Sequence, residues 1–146
     1  MVLPSLRRPV PRVAVIVDTS GSVAEDMLGL AWTEVHGCLR SLGIRRDLLT
    51  VYAADVTVHL LRGPPQRQKA LIGGDGTDMA EAIGAVLAAR LVPDLVVVIT
   101  DGLTPWPAAR PCRDVIVALL PTTVDRPAPP PWAQVVNIIP GHLDGA

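Results

Sequence analysis

Val13-Ala14-Val15-Ile16-Val17-Asp18-Thr19-Ser20-Gly21-Ser22 sets the frame of this 146-residue chain. Apolar residues, mostly β-branched, run unbroken up to a carboxylate, and two hydroxyls follow at alternate positions. A run of this kind reads as a strand buried on both faces, the habit of parallel sheets covered by helices. Asp18, Ser20 and Ser22 then fall in the turn between that strand and a following helix. In open α/β sheets, ligands bind at the carboxyl ends of strands. Three oxygen side chains spaced by two can converge there on one point. An all-oxygen set suits a hard cation such as Mg²⁺, not zinc or copper. Ser22 has a second use as a helix cap, with Glu25 completing a Ser-x-x-Glu capping box. The two uses are compatible.

The composition limits the alternatives. The length fits one domain with a real core. Hydrophobic residues make up 49%, yet Phe is absent and Tyr occurs once, so the core is built from Val, Leu, Ile and Ala. A formal net charge of −1 gives no electrostatic case for nucleic acid or acidic membranes. Arg7, Arg8 and Arg12 read as a solvated basic patch. No apolar run approaches the roughly 18 residues that span a bilayer, and the N-terminus lacks the hydrophobic stretch of a secretory signal. Cys38 and Cys112 have no metal-binding or redox spacing. Together these features predict a cytoplasmic protein with reduced thiols.

Residues 1–12, with Pro4, Pro9 and Pro11, read as an extended arm, 13–140 as the domain and 141–146 as a tail. After the first strand, Met27, Leu28, Ala31, Val35, Cys38, Leu39 and Leu42 recur at helical spacing over 23–42, and Gly43 is placed to end that helix. His36 within it reads as a solvated side chain. Leu48–Ala53 reads as a strand. Asp55 marks a tight turn into a second, alternating run, Val56–Leu61, which a turn so short can only pair antiparallel. His59 lies on the polar face of that run. Pro64 and Pro65 mark a loop. Gly73-Gly74-Asp75-Gly76-Thr77-Asp78 then leads into a helix carried by Met79, Ile83, Val86 and Leu87. The glycines let Thr77 approach a neighbouring site closely, whereas Asp78, three residues before Glu81, reads as the helix cap. Leu95–Thr100 is the most apolar run and ends, like the first strand, in a carboxylate: Asp101, followed by Gly102. Val115–Leu120 is a further buried strand. The Pro-rich 121–131 segment is not helical, and Ala133–Ile139 is the last strand.

Asp-x-Ser-x-Ser after the first strand, a glycine-flanked Thr before the middle helix and Thr-Asp-Gly after a central strand together resemble the metal-ion-dependent adhesion site of von Willebrand factor A domains. The resemblance covers residues 13–139. It implies a Rossmann-like α/β fold: an open sheet of about six mostly parallel strands in the order 3-2-1-4-5-6, strand 3 antiparallel at one edge, with helices on both faces. By the same resemblance Asp18, Ser20, Ser22, Thr77 and Asp101 surround Mg²⁺ or Mn²⁺, with Gly21, Asp75, Gly76, Asp78 and Gly102 in the loops around them. The Gly-Gly-x-Gly-Thr-Asp loop and Trp106-Pro107 are similar to compact bacterial domains of this kind. Those domains follow metallopeptidase-like regions and are associated with AAA-type ATPases. Two departures matter. Asp75 adds a carboxylate to the glycine loop, and the family's C-terminal helix is missing from the pattern. Its absence predicts an under-covered sheet face able to dock a second copy, the N-terminal arm or another domain.

With three neutral hydroxyls and two carboxylates, one of them reaching the ion only through water, a divalent cation is under-neutralised and attracts an outside carboxylate into its open position. The expected function is therefore metal-bridged recognition of an Asp or Glu on a partner protein, without catalysis. Hydrolysis would need an activating base or a second metal, and His36, His59 and His142 are all distant in sequence from the ligand loops. A different rival is Gly73-Gly74-Asp75-Gly76-Thr77, which looks like the phosphate-binding loop of diacylglycerol and NAD kinases. That reading leaves Asp18-x-Ser20-x-Ser22 and Thr100-Asp101-Gly102 without a role.

Overall fold

The computed structural model describes residues 11–19, 25–44, 48–54, 58–60, 78–88, 92–111 and 114–139. Strands β1 (Val13–Asp18), β2 (Leu49–Ala54), β3 (Val58–Leu60), β4 (Leu95–Thr100), β5 (Asp114–Leu119) and β6 (Gln134–Asn137) form one open sheet in the order β3-β2-β1-β4-β5-β6. Helices α1 (Glu25–Ser41) and α2 (Met79–Leu87) accompany it. The expected α/β architecture is present. The expectation of about six mostly parallel strands resolves into a body of five parallel strands with β3 antiparallel to β2 at one edge. Of the anticipated strand 56–61, the described residues 58–60 form β3, and the rest lie outside the described residues; β6 is shorter than 133–139.

Chain direction explains why both faces are covered. After β1 the chain moves through α1 to β2; after β3 it returns through α2 to β4, on the other side of β1. Right-handed crossovers running in opposite directions place their helices on opposite faces. The core accordingly splits in two. Val13, Val15 and Val17 of β1 pack with Leu28, Ala31 and Leu39 of α1, whereas Ala14 and Ile16 pack with Met79, Ala82, Ile83 and Val86 of α2. Successive strand residues point to opposite faces, so one strand feeds both clusters. This is why β1 and β4 carry no polar residue before their carboxyl ends.

The end of α1 shows how the local sequence closes an element. Gly43 has φ of +78°, which glycine adopts without steric cost. Its N–H donates to Arg40 O at 3.0 Å, and Ile44 N–H donates to Leu39 O at 3.0 Å. That pair of bonds is a Schellman motif, and its apolar contact is present because Leu39 and Ile44 share the α1-side core. At the start of α2, Asp78 is the N-cap, its carboxylate accepting from Glu81 N at 3.2 Å.

Two expectations change. His36 is half-buried and stacks on Trp32, with ring centroids 5.1 Å apart, because the two sit one turn apart on α1. The α1-side face is also better covered than its sequence suggests: Ala118, Leu120 and Ile138 are buried and Ile116 is half-buried, leaving Val136, at 45% exposure, on that side. Among the described residues no helix follows β6, and the arm and tail, 1–10 and 140–146, lie outside them. No helix among the described residues is long and apolar enough to cross a membrane.

Ile16 is fully buried at the centre of this arrangement. Ile16→Ala lowers unfolding free energy in urea by about 2–5 kcal/mol. Leu42→Ala, at a site 76% exposed, changes it by less than about 0.5 kcal/mol.

Candidate functional site

β1 and β4 pair in register from Val13↔Leu95 to Val17↔Ile99, which sets Asp18 and Thr100 side by side at the carboxyl ends. Both are 0% exposed, and Asp101, one residue further on, is 2% exposed. Carboxylates are seldom buried so completely without partners. Thr100 supplies one. Its Oγ1 donates to Asp18 Oδ2 at 2.6 Å and accepts from Gly102 N at 3.1 Å. The hydroxyl thus passes a backbone N–H dipole on to a charged oxygen, a short charge-assisted bond. Asp101 Oδ1 accepts from Leu103 N at 3.1 Å, a local turn that fixes the carboxylate. Asp101 Oδ2 is buried and has no hydrogen-bond partner among the described residues.

The backbone beneath these side chains is tied on both sides. Thr19 N and Oγ1 both donate to Ala54 O, at 2.9 and 3.1 Å, fastening the end of β1 to β2. Leu120 N donates to Thr100 O at 2.8 Å, fastening the end of β4 to β5. Gly102 takes φ of +84°, and a Cβ built there would come within 3.1 Å of Leu119 Cδ1 and 3.2 Å of Arg126 Cδ. Arg126 arrives from the Pro-rich segment, and its Nη1 donates to Asp101 O at 2.9 Å and to Leu120 O at 2.6 Å. Thr104 Oγ1 accepts from Met79 N at 2.8 Å, so the loop after β4 helps cap α2. Trp132 Nε1 donates to Pro107 O at 3.1 Å, anchoring the Trp106-Pro107 turn beside the α2-side core.

Of the residues singled out in the sequence, Asp18 and Asp101 are brought together at adjacent strand ends, with Gly102 in the turn that follows. Asp78 is occupied in capping. Ser20, Gly21, Ser22, Asp75, Gly76 and Thr77 lie outside the described residues. So do His142 and the side chain of His59. No three His, Cys, Asp or Glu side chains gather at one point among the described residues. Thr104 and Arg126 escaped the sequence reading, and Thr100, quoted there within Thr-Asp-Gly, was given no role of its own. Thr100 had a usable signal, being a polar residue inside an element otherwise buried and apolar. Arg126 had none, since it sits in a proline-rich loop 25 residues from its partner Asp101.

A family model described as a VWA-like domain (DUF2201) matches residues 13–139. The chain belongs to this family. The match runs from the first residue of β1 to two residues beyond β6, and so takes in both buried carboxylates. A search of curated protein sequences finds no match to the chain. Membership of the VWA-like domain family points to a protein-interaction module.

The Gly102 turn gives the site its tightest steric limit. Gly102→Ala forces a left-handed backbone on a residue with a Cβ and crowds Leu119 and Arg126, costing about 1–2 kcal/mol or more. Differential scanning calorimetry reads this as a lowered Tm, whereas Gly37→Ala, with open space around it, leaves Tm equal or higher because alanine favours the helix.

Proposed function

We propose that this VWA-like domain is a divalent-cation-dependent protein-binding module that recognises an Asp or Glu of a partner protein. Asp18, Ser20, Ser22, Thr77 and Asp101 hold the ion, Mg²⁺ or Mn²⁺. One observation carries this reading: Asp101 Oδ2 is buried and unpartnered beside the fully buried Asp18. The residues present fit such an ion. Their donors are oxygens alone, two of them carboxylates at fixed strand ends, as hard cations require. When bound, the ion supplies a coordination position that an incoming carboxylate oxygen can fill.

The chain's own residues do the rest. Thr100 holds Asp18 Oδ2 and so orients its carboxylate. The Leu103 N–H holds Asp101 Oδ1 and leaves Oδ2 as the unengaged oxygen. Asp78 caps α2 and sets the position at which the chain enters that helix. No residue is assigned a catalytic role. His36, the one histidine whose side chain is described, is engaged with Trp32 along α1. The module is proposed to work in the bacterial cytoplasm, with an AAA-type ATPase or a metallopeptidase-like protein as its partner. The support for that setting is the resemblance carried by Gly73–Asp78 and Trp106-Pro107. Self-association through the β5–β6 side remains part of this proposal, with the exposed Val136 as its apolar contact.

Isothermal titration with Mn²⁺ tests the ion site: wild type binds, and Asp18→Ala and Asp101→Ala lose at least about tenfold in affinity. Equal affinity in all three sinks the reading. A second expectation separates function from fold. Asp101→Asn keeps the bond from Leu103 N and removes a buried charge with an unpartnered oxygen. In EDTA it therefore unfolds at a higher temperature than wild type, by about 1 kcal/mol of stability, while binding Mn²⁺ more weakly. A lowered Tm in EDTA would show that Asp101 serves the fold rather than a ligand.

A further inference from the structure

Arg126 brings a fixed positive charge to the carboxyl end of the sheet. Its side chain is half-buried, its Nη1 bonds to the carbonyl oxygens of Asp101 and Leu120, and its Cδ lies close over Gly102, where the missing Cβ leaves room. Two carbonyl oxygens take Nη1 hydrogen bonds without cancelling its charge. Among the described residues no carboxylate side chain forms an ion pair with it. A guanidinium stays charged at any working pH, and a part-buried charge is screened less than one in open water.

We propose that Arg126 makes the Asp18/Asp101 centre selective for an anionic oxygen ligand over a neutral one of the same size. The proposal rests on the reading that a divalent cation binds there. Asp18 and Asp101 together balance a divalent ion, and hydroxyl donors add no charge. Arg126, bonded to the backbone of Asp101, adds one positive charge next to them. That charge favours a carboxylate over a neutral carbonyl or water by electrostatics alone, without requiring Arg126 to touch it. The hydrogen bonds to Asp101 O and Leu120 O keep the charge in place, so selectivity does not depend on a mobile surface side chain. Arg126 is therefore a positioning residue for charge, acting on the ligand through the centre.

The test measures Mn²⁺ affinity of the full chain by electron paramagnetic resonance, at fixed ionic strength, with acetate or acetamide added. In wild type, acetate tightens Mn²⁺ binding about fivefold, the size of a part-exposed charge interaction, and acetamide has no effect. Arg126→Lys retains the acetate effect. Arg126→Gln abolishes it while binding Mn²⁺ alone as tightly as wild type or tighter. Arg126→Met, which keeps the aliphatic stem over Gly102, replaces the Gln variant should that one not fold. An acetate effect of wild-type size in the Gln or Met variant overturns the role of Arg126 and leaves the ion site standing. So does its loss in a Lys variant that melts with wild type. Absence of Mn²⁺ binding in wild type overturns the ion site and this inference together.

Discussion

Two carboxylates held out of water at neighbouring strand ends are the constraint from which the rest of this domain follows. Desolvating an ionised carboxylate costs several kcal/mol even after the protein relaxes, so its surroundings must answer each oxygen separately. Thr100 answers one oxygen of Asp18, and the Leu103 N–H answers one oxygen of Asp101. Each answer restricts the sequence further. Thr100 has to be polar at the end of an otherwise apolar strand. Gly102 donates its N–H to the Thr100 hydroxyl and then turns the chain through a left-handed conformation. The missing Cβ of Gly102 gives the Arg126 stem room against that turn.

The position of the pair is set by the burial of everything below it. β1 and β4 are the two middle strands, with α1 over one face and α2 over the other. Ile16 and Val98 face one helix, and Val15, Val17 and Ile99 the other, all at 0% exposure. A carboxylate in the middle of either strand would meet only hydrocarbon, whichever way it pointed. Only the strand ends bring loop N–H groups and hydroxyls within reach. The chain reverses direction about β1, so the ends of β1 and β4 lie next to each other with neither crossover passing between them. A crevice at that place is a property of the topology. What fills it is a property of five or six side chains.

Much of this was legible beforehand because the signals were physical and local. Unbroken Val and Ile runs meant strands covered twice, apolar residues at helical spacing meant α1 and α2, and Gly43 and Asp78 could be placed as a stop and a cap by stereochemistry alone. The two aspartates were legible because each ends such a run. The sequence was less informative wherever the determinant was a contact between distant segments. The Pro-rich segment could be read as non-helical, but not as the carrier of a guanidinium that reaches back to Asp101. His36 looked solvated because its neighbour Trp32 is adjacent only on the helix surface. Coverage of Ala118 and Leu120 was underestimated for a related reason, since counting helices ignores what loops and the following strand bury.

The same geometry sets the stability of the fold against the ion binding proposed for it. An apolar or amide side chain at position 101 would sit more easily in so dry a place than a carboxylate with one oxygen unanswered. The surrounding bonds do not depend on that oxygen: Thr19 fastens β1 to β2, Leu120 fastens β4 to β5, and Arg126 holds the turn by its carbonyl rather than by its carboxylate. The backbone is thus fixed before any ligand arrives, and the exposed cost is confined to a single atom. At the proposed ion site, such an arrangement would spend no conformational ordering on its two strand-end donors when a cation enters. Relief of the unanswered oxygen would then add to the binding free energy instead of being lost to reorganisation. A buried carboxylate oxygen left unanswered, on a backbone fixed by other bonds, is the feature on which the proposed ion site rests.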